Sequence, residues 1–245
     1  MKISILQRIV ILCERIVNSL HLRGLLKPLY YFFYKDRKNK ELKKRMQNNG
    51  LKILSEFHEC LTSHNIPYTL AFGTLLGAIR EHGFIKHDFD IDTFMWIDDY
   101  NSSVNDYLID AGFTMLHSFK IEDGKYGLEQ TYEKEGVHID IFFIYPPVEN
   151  LPYCCDFLPM EFSSYVTCMK VHGFVQARRL EMPFIKERRI EKFEGLDLYV
   201  PANSEELLTY RYGDDYMVPN PNWSIQSHNN NIVVWENKKG IYADC

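Results

Sequence analysis

At residues 87–92 the chain reads His87-Asp88-Phe89-Asp90-Ile91-Asp92. The apolar residues between the acids, and the run that follows to Trp96, predict a β-strand that begins near Asp88. Because side chains alternate between the two faces of a strand, we expect Asp88, Asp90 and Asp92 on one face. A lone pattern of this kind also fits a solvated strand edge, so its interpretation depends on the neighbouring segments.

A further acidic residue lies inside an apolar run at residues 137–144. A buried carboxylate without a partner is strongly unfavourable, so we expect Asp140 to face the same centre from an adjacent strand. The alternative is a structural ion pair with Arg80 or Lys86. His138 is expected to point to the opposite face of this strand from Asp140, as a packing residue.

The crowded acids predict a metal site. Like charges at this density repel one another unless a cation neutralises them. Hard oxygen ligands suit Mg²⁺ or Mn²⁺ better than metals that prefer thiolates. The candidate metal ligands, which are also the candidate catalytic residues, are Asp88, Asp90, Asp92 and Asp140.

A glycine stands between a predicted strand at 68–72 and a short helix that ends at Arg80. Backbone N–H groups at such a junction, together with the helix dipole, favour a phosphate. We therefore expect Gly73 and Thr74 to bind the phosphates of a substrate. Two roles stay open for Arg80, which could stabilise substrate charge or brace the loop.

The rest of the chain predicts a mixed sheet with helices, in the α/β (α+β) class. Helices are expected at 51–64, 99–111 and 204–211, and strands at 113–119, 128–133 and 137–145. The pattern beyond residue 146 is weaker. We interpret 162–175 as hairpin strands, and the last 25 residues as a loop with one short strand at 232–235.

Charge divides the chain unevenly. The first 45 residues hold 12 Lys/Arg and 3 Asp/Glu, whereas the remainder holds 16 Lys/Arg and 30 Asp/Glu. An acidic body is a poor partner for nucleic acid but can bind phosphorylated substrates through divalent cations. We predict a basic amphipathic helical leader at 1–48 and a catalytic domain with a C-terminal helical and loop extension at 49–245.

The leader has no uninterrupted apolar run of about 18 residues that could span a bilayer. Its aromatic and basic residues suit peripheral contact with an anionic membrane, but they equally suit helices that pack on the domain. The six cysteines lack CxxC spacing and no secretory leader is visible. We therefore expect a cytoplasmic protein, with the inner face of the cell membrane as the candidate location.

The motifs resemble those of the polymerase-β-type nucleotidyltransferase superfamily and, more narrowly, the LicD and fukutin-related family. The first shared stretch is Tyr68-Thr69-Leu70-Ala71-Phe72-Gly73-Thr74-Leu75-Leu76-Gly77-Ala78-Ile79-Arg80, and the second is Asp88-Phe89-Asp90-Ile91-Asp92. A C-terminal stretch from Val200 to Pro219 resembles the closing motif of the family. The chain departs from the family at His87, where Trp is usual, and at Phe89, where an acid is frequent.

This resemblance implies a nucleotidyltransferase-type sheet and a metal-dependent phosphotransferase. Such enzymes move a phospho-alcohol, for example phosphocholine, from a CDP-linked donor to a hydroxyl of a cell-surface glycan or lipid-linked precursor, and release CMP. Capsule and lipopolysaccharide biosynthesis are the expected settings. In-line phosphoryl transfer would use Asp90 and Asp92 to bridge the metals, with Asp88 assisting, and Asp140 to orient or deprotonate the acceptor.

Two other functions stay open on the sequence alone. A nucleotidyltransferase would move NMP from an NTP to a small molecule or protein with the same aspartates. A non-catalytic scaffold would tether a glycan-assembly complex to the membrane through the leader.

Overall fold

The computed structural model describes residues 36–86, 88–160, 164–185, 187–220 and 231–245. Most of the predicted leader at 1–48 and the whole of His87 lie outside these residues. The leader's boundary, its membrane contact and the position of His87 therefore stay predictions. One compact unit comprises Arg45–Cys245, and every contact described below lies within it.

The described residues form five helices and ten strands. The helices are α1 Asp36–Ser63, α2 Phe72–Arg80, α3 Ser103–Asp110, α4 Tyr165–His172 and α5 Ser204–Tyr212. The strands are β1 Thr69–Leu70, β2 Asp90–Trp96, β3 Thr114–Ile121, β4 Gly127–Lys134, β5 Val137–Ile144, β6 Tyr153–Leu158, β7 Val175–Glu181, β8 Arg188–Phe193, β9 Leu196–Pro201 and β10 Ile232–Asp244.

Eight of these strands form one sheet in the order β1-β2-β5-β4-β3-β10-β7-β6, and β8 pairs with β9 as a separate hairpin. Strands β2 and β5 are parallel, whereas the other neighbours in the sheet are antiparallel. A parallel pair needs a crossover, and α3 with the β3–β4 hairpin lies between β2 and β5 in the sequence. The predicted mixed α+β fold is confirmed.

The main core lies between α1 and one face of the sheet. Apolar residues recur at helical spacing along α1, so Ile53, Phe57 and Leu61 share its buried side. The ring of Phe57 packs edge-on against Tyr68 at 5.3 Å and Phe113 at 6.1 Å between ring centroids. Burying each large side chain of this kind contributes about 1.5–3 kcal/mol.

A smaller apolar cluster covers the other face of the sheet. Its buried members are Ala71, Phe94, Ile144, Cys154, Leu180, Met182, Ile185 and Leu207. Phe94 follows Asp92 by two residues and so lies on the face of β2 that carries the aspartates. This face is therefore polar at the start of β2 and apolar toward its end.

Beyond residue 146 the structure corrects two predictions and adds a hairpin. Where hairpin strands were predicted at 162–175, the described residues 164–174 form α4, Tyr165–His172, capped by Ser164, whose Oγ accepts from the Thr167 N–H at 3.2 Å. Strand β10 is 13 residues long rather than four. The β8–β9 hairpin has no counterpart in the predicted elements.

Within the described ranges, no helix has the length and apolar character needed to cross a membrane. The cysteines at 60, 154, 155, 168 and 245 all carry free thiols.

Candidate active site

Strand pairing places two aspartates side by side. In the parallel pair β2 and β5, Asp92 lies directly opposite Asp140, and Asp90 lies opposite His138. On the far side of β5, Thr131 of β4 lies opposite Asp140. Directly opposite residues point to the same face of a sheet. Carboxylates from two strands thus meet on one face of the sheet.

His138 also points to this face, which corrects the prediction that it packs on the opposite one. It is two residues from Asp140 on the same strand, and side chains two residues apart share a face. The residues that enter the core from β5 are instead Ile139 and Ile141, both fully buried. His138 is therefore a neighbour of Asp90 in the site.

Asp92 is held at the N-terminus of α2. The Gly73 N–H donates to the Asp92 carboxylate, and this hydrogen bond opposes a rise in its pKa. The Asp92 N–H donates to Thr74 Oγ1 at 3.0 Å, while the Ala71 N–H donates to the Asp92 carbonyl at 3.0 Å. Because a helix N-terminus carries partial positive charge, it stabilises an ionised carboxylate there. Gly73 and Thr74 thus position Asp92.

Asp88 precedes β2 rather than belonging to it, since the strand begins at Asp90. Its carboxylate accepts from the Ile85 N–H and packs on the backbone of Gly73. A Cβ added at Gly73 would lie 3.3 Å from Asp88 Oδ1, so the glycine permits this close approach. Asp88 Oδ2 is buried and has no hydrogen-bond partner.

Asp140 is held by two threonines. Thr131 Oγ1 donates to Asp140 Oδ1 at 2.5 Å, and Thr93 Oγ1 donates to the Asp140 carbonyl at 3.0 Å. Arg80, the cation predicted either to pair with Asp140 or to contact substrate, pairs instead with Glu81 at 3.0 Å and donates to the Tyr216 carbonyl at 3.1 Å. Arg80 therefore braces the segment that follows α5.

Burial and mutual repulsion make these carboxyl groups reluctant to ionise. Burial, and then the charge of Asp90, raise the pKa of Asp88 to about 7 and that of Asp140 to about 7. Burial raises the pKa of Asp90 to about 6. Burial also raises the pKa of Asp92 well above its ordinary value, with Asp90, Asp140 and Asp88 adding to the shift. The site holds more negative charge than its surroundings neutralise.

A fifth acid, Glu129, was not among the predicted site residues. Burial raises its pKa well above the ordinary value, and the charges of Asp140, Asp156 and Asp92 raise it further. Glu129 lies two residues from Thr131 on β4 and opposite Phe142 of β5. Its sequence context is an ordinary alternating strand, so only the pairing of β4 with β5 reveals it.

The donor set fits a divalent cation. Among the described residues, no three His, Cys, Asp or Glu side chains are already gathered into a metal-binding group. Like charges stay apart without a cation, however, and the acids gathered here offer only hard oxygen ligands. The buried, unpartnered Oδ2 of Asp88 is one such free donor. Asp90, Asp92, Asp140 and Asp88 are therefore the residues that could hold Mg²⁺ or Mn²⁺.

The end of α5 adds two residues that the sequence analysis did not assign to the site. The Arg211 guanidinium lies 5.2 Å from the centre of the Phe72 ring. Burial raises the pKa of Tyr212, and the charges of Asp92 and Asp88 raise it further, so this phenol lies near the aspartates. Their only signal in the sequence is the closing motif that resembles the family.

Phe72 starts α2 with φ of +39°, a left-handed value that is costly for a residue with a side chain. Its ring is held edge-on by Phe94 and Phe142, each at 4.9 Å between centroids. Both partners extend from the aspartate face of their strands. This packing fixes the turn that presents the Gly73 N–H to Asp92.

The raised pKa values predict how pH and metal affect stability. Between about pH 4 and 7 the folded state retains carboxyl protons that the unfolded state has lost, so this contribution to stability declines as pH rises through about 6 to 7. We expect Mg²⁺ to raise the Tm of chelator-treated protein clearly at about pH 7.5 and little at about pH 5.5. Differential scanning calorimetry with NaCl at matched ionic strength measures this, and equal shifts at both pH values would contradict it.

The site has the arrangement of nucleotidyltransferase-type domains. Two acids lie on one strand, a third lies on the parallel neighbouring strand, and a helix with a glycine in its first turn packs against them. A profile of the LicD/FKTN/FKRP nucleotidyltransferase domain matches residues 65–203. The chain belongs to this family.

Relatives of known name share parts of this region. Ribitol-5-phosphate transferase FKTN of Macaca fascicularis is 26% identical over 183 residues, which cover 72% of this chain and 35% of the macaque protein. Lipopolysaccharide cholinephosphotransferase LicD of Haemophilus influenzae is 47% identical over 55 residues, 22% of this chain and 21% of that protein. An uncharacterised protein of Caenorhabditis elegans is 36% identical over 101 residues, 40% of this chain and 26% of its own length. The match spans about a third of the fukutin relatives.

Proposed function

We propose that this chain transfers a phospho-alcohol from a CDP-linked donor to a hydroxyl of a glycan or lipid-linked precursor and releases CMP, with Mg²⁺ or Mn²⁺ as cofactor. The observation that carries the proposal is the meeting of Asp92 and Asp140 on parallel strands, with Asp92 at the N-terminus of α2. The relatives support the reaction type, because one is named a ribitol-5-phosphate transferase and another a cholinephosphotransferase.

The need for a cation follows from the charge of the substrates. A diphosphate donor is anionic and the site itself is acidic, so the two repel each other without a counter-charge. Asp90 and Asp92 would hold the metal, with Asp88 assisting through its free oxygen. When bound, a divalent cation neutralises phosphate oxygens and the developing charge of the leaving group.

Asp140 is the candidate base for the acceptor hydroxyl. Its Oδ1 is engaged by Thr131, which fixes the direction of the carboxylate. A pKa of about 7, raised by burial and by Asp90, suits a group that must accept a proton near neutral pH. The role assigned to it is to orient the hydroxyl and take its proton as the oxygen attacks phosphorus.

Gly73 and Thr74 have a positioning role beside the phosphate contact expected from the sequence. Both are engaged with Asp92 in the structure, one through its N–H and the other through its hydroxyl. A phosphate bound at this helix N-terminus would share the Gly73 N–H with the Asp92 carboxylate, and it could accept from the Thr74 hydroxyl, whose oxygen accepts from the Asp92 N–H. Arg80 acts indirectly in this proposal, by holding the chain near Tyr216.

The decisive experiment offers the purified chain CDP-ribitol, CDP-choline and each NTP with Mg²⁺, and follows nucleotide products by ³¹P NMR. We expect CMP from a CDP-alcohol in the presence of an acceptor glycan, and no pyrophosphate from NTPs. Release of pyrophosphate but never CMP would establish nucleotidyl transfer instead, the second candidate that the name of the matched domain favours. Absence of both products would favour the scaffold.

A further inference from the structure

Two cavities open on the aspartate face of the sheet, and they differ in size. The first, beside Phe72 and Arg211, measures about 20 Å³, which is room for about one water molecule. The second, beside Trp96, measures about 190 Å³, or room for roughly a dozen water-sized molecules. Only the second has the volume of a sugar ring with its hydroxyls.

The larger cavity lies along the same strands as the aspartates. Trp96 follows Asp92 by four residues on β2 and points to the same face, so the two are about 13 Å apart. Ile144, four residues beyond Asp140 on β5, also lines the cavity. Phe94 and Phe142 fill the face between. A ligand that extended from this cavity to the aspartates would need to be a few linked sugar units long.

Aromatic rings form one wall of the cavity. Trp96 lines it, and the ring of Phe184 lies 5.2 Å from the Trp96 ring at an angle of 42°. Phe184 is 51% exposed, so its ring is accessible to a ligand. Tyr68 completes this wall, and a hydrogen bond of 2.8 Å between His58 Nδ1 and the Tyr68 hydroxyl holds its ring in place. Flat apolar walls of this kind suit the C–H faces of sugar rings.

Charged groups of both signs line the rest of the cavity. They are Asp99, Glu187 and Arg188. The Arg188 guanidinium is fixed over the Tyr199 ring at 4.1 Å, and the Glu187 carbonyl accepts from the Ala202 N–H at 2.8 Å. Carboxylates accept hydrogen bonds and a guanidinium donates them, so together they match hydroxyls, which do both.

The balance of charge selects a neutral ligand. Among the described lining residues, two carboxylates and one guanidinium give both signs of charge, which suits neither a phosphate nor a cation as well as a neutral polar group. A neutral, hydroxyl-rich molecule suits both the rings and the charged groups.

We infer that the cavity lined by Tyr68, Trp96, Asp99, Glu187 and Arg188, with Phe184 packed on Trp96 beside it, is a saccharide-binding subsite for the acceptor, a few sugar units from the hydroxyl that reacts. The inference rests on the proposed transfer to a glycan. It adds a binding site, outside the aspartate cluster, that would select acceptors by the sugars behind the reacting one.

The test measures binding rather than turnover. The full chain is applied to a printed array of bacterial and animal oligosaccharides, and its affinity for CMP with Mg²⁺ is measured by calorimetry. Phe184→Ala and Asp99→Asn are compared with two matched controls, Ile190→Ala at a side chain 59% exposed on β8, and Asp98→Asn at the adjacent exposed acid.

We expect the wild type and both controls to bind the same glycans, and the two cavity variants to bind them at least about tenfold more weakly, with CMP affinity unchanged within about twofold. The inference is overturned if the wild type binds no glycan, or if the cavity variants bind as the wild type does. Loss of CMP affinity instead would assign the cavity to the donor nucleoside. Asp92→Asn separates the two proposals, because it should lose transfer and keep glycan binding.

Discussion

Asp92→Asn should lower the rate of phospho-alcohol transfer by at least about 10³-fold, because it removes charge from the carboxylate that faces both Asp90 and Asp140. The amide oxygen can still accept from the Gly73 N–H, so the turn into α2 should persist. Relief of repulsion should also leave the Tm of the metal-free variant at about pH 7.5 equal to or above that of the wild type. Steady-state release of CMP and thermal unfolding measure the two effects.

Asp197→Asn is the matched control. This acid is paired with Lys192 at 2.6 Å on the β8–β9 hairpin, and its side chain is 53% exposed. Activity and stability should stay near the wild-type values. Retained transfer in Asp92→Asn would remove the metal role from this residue, and a lowered Tm would show that the carboxylate stabilises the fold.

The second large effect should come from Gly77→Ala. Glycine costs about 1 kcal/mol relative to alanine inside a helix, so propensity alone predicts stabilisation. A Cβ at this position would instead lie well inside contact distance of the Gly83 carbonyl and 3.3 Å from the Ile85 nitrogen. Backbone cannot rotate away as a side chain can, so we expect a net loss of about 2 kcal/mol in the free energy of unfolding.

Urea denaturation of Gly77→Ala and Gly50→Ala provides the comparison. Gly50 is also helical, but the nearest atom to its added Cβ is the flexible Met46 Sδ at 2.9 Å. Gly50→Ala should therefore lie within about 0.5 kcal/mol of the wild type, or be more stable. Equal effects at both glycines would show that the loop at Gly83 moves to make room for the added Cβ. Because that loop leads to Asp88, Gly77→Ala should also reduce transfer.

The elements around the aspartates could be predicted because their signals are local. Strands β2, β4 and β5 have clear alternation or apolar runs, Pro67 separates α1 from β1, and Gly73 lies in the first turn of α2. Strand β10 carries such a signal only at residues 232–235, where a short strand was predicted. Much of it is exposed, and its stability comes from pairing with both β3 and β7, which local sequence does not encode. Helix α4 was missed although Ser164 and Gly173 mark its two ends.

For the same reason, the sequence predicted only some of the residues of the site. Alternation along β2 places Asp90 and Asp92 on one face, and an isolated acid in an apolar strand indicates Asp140. No comparable pattern marks Glu129 or Arg211. Glu129 reaches the site through the pairing of β4 with β5, and Arg211 reaches it from a helix far along the chain. The error at His138 had another origin, because two residues along a strand return to the same face.

Strand β10 has a consequence for how the domain is made. It pairs Ile241 with Lys120 on one side and Gly240 with Val175 on the other, so among the described strands it alone links β3 to β7 in the large sheet. A ribosome must therefore synthesise the chain through the 240s before the sheet can close, and until then β3 and β7 present unpaired edges. Loop closure over such separations is slow, and open edges invite pairing with other chains. Until β10 is in place, the edges of β3 and β7 are therefore open to pairing with other chains.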